Sequence, residues 1–323
     1  MKKLFTLLAL TIGFSMNAQL TAVTEGGNTG QRLSTSNASN HGDIGSNAVD
    51  LSYSSISSST TRGATGSNAV AMGINTAASG DFSTAMGKYT SAGGTGSTAM
   101  GNSTEATGTA STAMGSESEA YGESSTAMGS LVRARGHNST AMGKETTASD
   151  FASLVIGQYN SSGYLITNNA TSFSTSNTAF VIGNGTDSIN QSDAFKVMFN
   201  GDTTVSNDLT VSGDVVISSD ARLKSNIVSL GSTLPKLLQI DGKSYEIKGK
   251  QKIGVLAQEI KEVFPELVSE DDNEMLAVNY QGLVPVLINA LKEQDAKMKE
   301  QQIKYIEQEK RLERLERLVA SMD

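Results

Sequence analysis

The sequence contains no cysteine. That excludes disulfides, thiol nucleophiles, cysteine-ligated metals and a lipid-modified cysteine anchor. Histidine is scarce as well, limited to His41 and His137, which argues against a Ser-His-Asp site further down the chain. Basic residues are in deficit, with 25 Lys and Arg against 33 Asp and Glu and a net charge of −8, so no nucleic-acid partner is expected. Long apolar runs are missing except for Leu4–Phe14. As a helix that run rises about 16 Å, well short of the ~30 Å of a bilayer core. With Lys2 and Lys3 before it and Ala18-Gln19 after it, it reads as a secretory signal over residues 1–18. No other segment is apolar enough to span a membrane as a helix.

What is present is strongly segregated. The 323 residues leave room for two or three domains, and 16 of the 25 basic residues fall after residue 200, beyond a stretch rich in Gly, Ser, Thr and Ala. Within that stretch STAMG, or a close variant, ends at Gly73, Gly87, Gly101, Gly115, Gly129 and Gly143, and SLVIG ends at Gly157, always 14 residues apart. A second glycine, or Asp150, precedes most copies. A fixed period with one apolar residue in phase predicts a solenoid, in which each unit buries its apolar face on its neighbours. Strand alternation sets Thr98 and Met100 on one face, Ser97 and Ala99 on the other. Stacking aligns Met72, Met86, Met100, Met114, Met128 and Met142, continued by Ile156, in a ladder that is expected to be the buried core. The small Ser and Ala face is expected to permit close packing between coils or chains, and the glycines to take the corners.

Residues 19–60 are polar with little periodicity. Between 161 and 200, Ala179–Ile182 and Phe195–Phe199 read as strands between turns. Gly183-Asn184-Gly185 lacks the Lys-Ser/Thr and the helix of a phosphate loop and reads as a turn. A six-residue repeat follows, with Asp202, Asp208, Asp214 and Asp220 in one row and Val205, Val211 and Ile217 in another. So sparse an apolar line is buried only between chains, which predicts a narrow three-chain β-stalk. The aspartates suit turns better than rings of cation ligands. Near the C-terminus, Leu287, Leu291, Gln294, Met298, Gln301, Tyr305, Gln308, Leu312, Leu315, Val319 and Met322 keep a 4-3 spacing, the seam of a coiled coil whose glutamine layers specify register and chain number.

Where the hexads end the chain reads SSDARLKSNI, residues 218–227. Ser219 is a nucleophile if a base takes its proton, and a lysine with a lowered pKa does that in Ser-Lys pairs. Residues five apart point about 140° apart on a helix and to opposite sides of a strand. Ser219 and Lys224 therefore meet only across a bend or between chains. The competing reading is that Ser219 or Asp220 caps a short helix through Ala221-Arg222-Leu223-Lys224.

Two resemblances organise these segments. The 14-residue units over residues 63 to 160 resemble the head repeats of trimeric autotransporter adhesins, the YadA-like head family, with Met mostly at the apolar slot. That implies a left-handed parallel β-roll that trimerises. The C-terminus departs from those adhesins, which end in membrane β-strands, because this chain ends in KRLERLERLVASMD. SDARLKSNI at 219–227, GVLAQEIKEVFPELV at 254–268 and VNYQGLVPVLINALKE at 278–293 resemble, in order, the motifs of the intramolecular chaperone auto-processing domain, peptidase S74. That resemblance implies cleavage between Ser218 and Ser219, with Ser219 as nucleophile, Lys224 as its partner, and Asp220, Arg222 and Asn226 in support.

The sequence thus predicts a mainly β, homotrimeric, exported fibre with a C-terminal α+β domain. Its segments are a signal peptide at 1–18, a polar segment at 19–60, head repeats at 61–160, a β-rich neck and hexad stalk at 161–218, a chaperone domain at 219–282 and a helix at 283–323. The chaperone domain is expected to set trimer register and then cut itself off in a single turnover. No cofactor or metal is called for, and no action on external substrates is expected. The rivals are a surface fibre that keeps its C-terminal domain, and a glycan-degrading spike. The spike needs paired carboxylates in a cleft, whereas Glu105, Glu117, Glu119 and Glu123 are expected beside solenoid corners.

Overall fold

The computed structural model describes residues 20–57, 59–161, 170–271 and 274–321. The signal segment and Met322 lie outside them. The chain divides between Asp214 and Val215 into two units.

The N-terminal unit is a β-solenoid. Each 14-residue coil contributes one long strand, such as Thr98–Asn102, and one short strand, such as Glu105–Ala106. The long strands enter a 13-stranded sheet and the short ones a 7-stranded sheet. Neighbouring coils pair in parallel without register shift, so that Met86 faces Met100, Met100 faces Met114 and Met114 faces Met128. The period read from the sequence is therefore the physical period of the coil.

Which face is buried differs from the sequence expectation. The inner row is alanine: Ala71, Ala85, Ala99, Ala113, Ala127 and Ala141 are all 0 % exposed. Ser83, Ser97, Ser111 and Ser125 line the same narrow interior. The methionines point outward, with Met72 exposed and the others half-buried in the single chain. The interior is narrow and filled by these small side chains, with Val155 and Val181 continuing the row at its end. The glycines set the close approach of successive coils. A Cβ added at Gly101 would lie 2.0 Å from the Gly115 carbonyl oxygen, and one at Gly94 2.1 Å from that of Gly108.

The glycines hold the corners only in part. Gly94 opens the turn that the Ser97 N–H closes on its carbonyl, and Gly96 there has φ +66. Gly101, by contrast, has φ +129 within its strand, and the other left-handed corners are occupied by side-chain-bearing residues. Asn75, Tyr89, Ser103, Glu117, Leu131, Glu145 and Tyr159, spaced 14 apart, all have φ between 45 and 57. The coil geometry forces this conformation on whatever residue stands there, against the intrinsic preference of L-residues.

Both ends of the solenoid hold features the sequence pattern did not disclose. The N-terminal hairpin, Leu20–Glu25 with Asn28–Leu33, leads to strand Val49–Tyr53, which pairs with the first repeat and sets Asp50 opposite Ala71. An aspartate thus occupies the alanine row, fully buried. It accepts from His41 Nδ1 at 2.8 Å and from Arg32 Nε at 3.3 Å. Burial would raise its pKa, but hydrogen bonds from His41 and Ser52 outweigh that and hold the carboxyl below its usual value. Arg32 also donates to Glu25 at 2.7 Å and to the Gly42 carbonyl at 3.0 Å. The polar stretch is thus an ordered cap that closes the solenoid with an ion cluster. At the other end Phe180-Val181-Ile182-Gly183 pairs in parallel with Leu154-Val155-Ile156-Gly157. It is one more copy of the repeat, displaced by an insertion.

The C-terminal unit has a small core of Ile260, Phe264 and Val286, with Leu267, Val268, Val278 and Leu283 against it. These residues come from the helix Ala257–Val263, the Phe264 cap and 3-10 turn Pro265–Leu267 that follow it, the hairpin Val268–Glu270 with Leu276–Val278, and the first turns of the long helix Leu283–Ala320. A second hairpin, Lys243–Ile247 with Lys250–Gly254, precedes them. Among the described residues no helix is long and apolar enough to cross a membrane.

Candidate functional site

The site is a single turn in an otherwise extended, exposed segment. Asp220 has β-region backbone, φ −62 and ψ 133, and its carboxylate accepts from the Arg222 backbone N–H at 2.8 Å. That caps a 3-10 turn over Ala221–Leu223, closed by the Lys224 N–H on the Ala221 carbonyl at 3.1 Å. Aspartate is a strong N-cap because its side-chain oxygen satisfies an orphan donor. Arg222 folds back onto the same carboxylate through Nη2 at 2.7 Å. The Arg222 hydrogen bond is the main cause of an Asp220 pKa below the ordinary value.

This turn is the bend that the five-residue spacing demands. It carries the chain round so that Lys224 Nζ donates to Ser219 Oγ at 2.7 Å. The contact forms within one chain. The cap reading and the pairing both describe the structure, divided between residues: Asp220 caps, and Ser219 faces the lysine. Asn226 follows with φ +53, a left-handed conformation that asparagine tolerates better than most residues. Ser218, Ser219, Asp220, Arg222, Lys224 and Asn226 are all exposed.

A lysine acts as a base only when its amine is neutral, a state that removal of water favours. The exposed amine of one chain lacks such a covering. His41 is committed to Asp50 in the N-terminal cap, and His137 Nδ1 stands 3.8 Å from Glu123. Among the described residues no three His, Cys, Asp or Glu side chains are grouped to hold a metal. Of the acids named for a glycan-degrading reading, Glu105 and Glu119 lie on short strands just after the corners at Ser103 and Glu117, and Glu119 is paired with Arg133 at 2.9 Å.

Glu293 escaped the sequence reading. From the long helix its carboxylate accepts from Ser232 Oγ at 2.7 Å and from the Thr233 and Leu234 N–H groups. The Thr233 N–H is the main cause of its lowered pKa. Glu293 thereby ties the strand of chain that leaves the Ser219–Lys224 turn to the helix. Nothing in the local pattern marks it, because its partners lie some 60 residues away in sequence. The motif GVLAQEIKEVFPELV, by contrast, is architectural, since its Ile260 and Phe264 are the centre of the core.

Known families divide the chain in the same way. Residues 64–90, 92–118, 106–131 and 134–160 match the model of the YadA head domain repeat. A search of curated proteins returns no match. Residues 219–269, beginning at the serine that faces Lys224, match the model of the chaperone of endosialidase, peptidase S74. Two segments of the chain are thus similar to known families, residues 64–160 to YadA head repeats and residues 219–269 to peptidase S74.

Proposed function

We propose that three copies of the chain assemble into an exported, adhesin-like fibre whose C-terminal unit aligns the chains and then releases itself by cutting between Ser218 and Ser219. The observation that carries the cut is the 2.7 Å contact between Ser219 Oγ and Lys224 Nζ. In the reaction Ser219 Oγ forms a bond to the carbonyl carbon of Ser218. The C–N bond to Ser219 breaks, and Lys224 carries the proton from Oγ to the departing nitrogen. Water then hydrolyses the resulting ester, leaving a carboxylate on Ser218 and a free amine on Ser219. The site works once on its own backbone, so orientation replaces substrate binding.

Assembly is supported by the apolar surface that one chain leaves open. Val205, Val211 and Ile217 of the hexads are exposed, as are Leu287, Leu291, Met298, Tyr305, Leu312, Leu315 and Val319 along the long helix. Beyond the strand Thr203–Val205 the hexads form no further strand in the single chain. Three chains wound together would cover both rows, and the same covering would take water from Lys224. Cutting is thereby coupled to correct assembly. The coiled coil holds the stalks together, which lowers the entropic cost of slow non-local β pairing.

The test is N-terminal sequencing and mass spectrometry of the assembled protein. Wild type should yield a fragment beginning at Ser219, and Ser219→Ala and Lys224→Ala should remain intact. The exposure of both side chains favours a second reading, a fibre that keeps its C-terminal domain. Full-length wild-type chains after complete folding establish that reading in place of the first.

A further inference from the structure

The short sheet of the solenoid turns one row of side chains outward, and that row is uneven. In register across the short strands stand Ala77, Ser91, Glu105, Glu119, Arg133 and Thr147. The first two are small. Over them opens a groove of about 620 Å³ lined by Arg62, Ser79, Tyr89, Ser91, Ser103 and Glu105. From the strand Gly63–Ala64 to the strand Glu105–Ala106 there are three strand spacings, about 14 Å.

Charged groups stand at its two ends. Arg62 Nη1 donates to the Asn75 carbonyl at 2.7 Å, and its backbone N–H to Ser59 Oγ at 3.3 Å. The Glu105 carboxylate makes no hydrogen bond or ion pair among the described residues, whereas Glu119, one coil on, is held by Arg133. Between them Tyr89 remains 43 % exposed, with Lys88 Nζ 5.3 Å from its ring centroid. Tyr89 lines the groove from a corner position with φ +55.

We propose that this groove binds a neutral oligosaccharide of about two or three sugar units. A sugar presents an apolar C–H face that stacks on an aromatic ring and hydroxyls that donate to a carboxylate and accept from a guanidinium. Serine and threonine hydroxyls do both. A peptide is a poorer occupant. The coil-to-coil ladders already use the strand backbone, so no strand can be added, and no apolar pocket is present to hold a side chain. A small anion would meet Glu105. The groove lies within one chain, so the inference stands apart from assembly and cutting.

Maltotriose, cellotriose, chitotriose and mannotriose can each be titrated into the full-length protein, with saturation-transfer NMR and calorimetry as readouts. At least one should bind with a millimolar or tighter Kd. Tyr89→Asn removes the ring but keeps a residue suited to the left-handed corner. Ser91→Arg fills the floor with the side chain that the repeat already carries in register at Arg133. Each should weaken binding by about tenfold or more, with the melting curve of the solenoid retained, while Glu119→Gln outside the groove leaves affinity unchanged. Absence of binding by all four sugars at about 10 mM, or undiminished affinity in both groove variants, overturns the proposal.

Discussion

A single aspartate and a single lysine create the turn on which the candidate chemistry depends. Asp220 caps the 3-10 turn and Lys224 returns to Ser219 only because that turn exists. Ser219 itself caps nothing, so Ser219→Ala should leave the fold and its stability unchanged while removing the nucleophile. Residue-scale strain is also written around the solenoid. Glu117 is exposed and sits at φ +53, a conformation that costs L-residues about 1 kcal/mol or more and asparagine less. Asn75 holds the same place earlier in the series. Glu117→Asn should therefore stabilise the head by about 0.5 kcal/mol, and Glu117→Val destabilise it by about 1 kcal/mol. Chemical denaturation of the two variants measures the difference.

The coil is the unit in which the faces were assigned correctly and their burial wrongly. Alternation separated Met100 from Ala99, as the paired strands do, but which row faces inward is decided by the gap between the two sheets. Glycine contacts of about 2 Å to an added Cβ fix the close approach of successive coils, and in the central coils the lumen is filled by alanine and serine. The two rows should respond differently to substitution. Ala113→Leu overpacks a fully buried site and should cost about 1–3 kcal/mol, unfolding neighbouring coils with it. Met100→Asp with Met114→Asp should leave the coil of one chain folded, as read by circular dichroism. If the methionine rows meet between chains, the same pair should abolish association, because unpaired charge would be buried there.

At the scale of the whole molecule, two units with different surface chemistry share one chain. The N-terminal unit closes its own core with alanine rows, an ion cluster at one end and an added coil at the other. The C-terminal unit closes only a small core and leaves the long helix bare. Light scattering should find a trimer, and Leu312→Asp with Leu315→Asp should leave monomers by placing charge in the seam. A monodisperse wild-type monomer would remove the fibre reading altogether.

Uninterrupted periodicity was legible in the sequence, whereas the copy displaced by an insertion, Phe180–Gly183, was not. The 14-residue coil, its register, the long C-terminal helix and the Ser-Lys spacing all follow from residue intervals, because a repeat or a heptad is a local pattern that folding preserves. Motif order likewise marked a domain from residue 219, where the match to the peptidase S74 family model begins. Whatever depends on distance between non-neighbouring segments was decided only by the tertiary structure. The inward face of the coil turned on a sheet separation that no single strand encodes. The buried Asp50 needed Arg32 and His41 brought from two other segments, and Glu293 needed Thr233. The Ser219–Lys224 contact stands between these cases. The spacing demanded a bend or a second chain, and a bend forms within one chain through a cap on Asp220 whose geometry, unlike its identity, is not written in the order of residues.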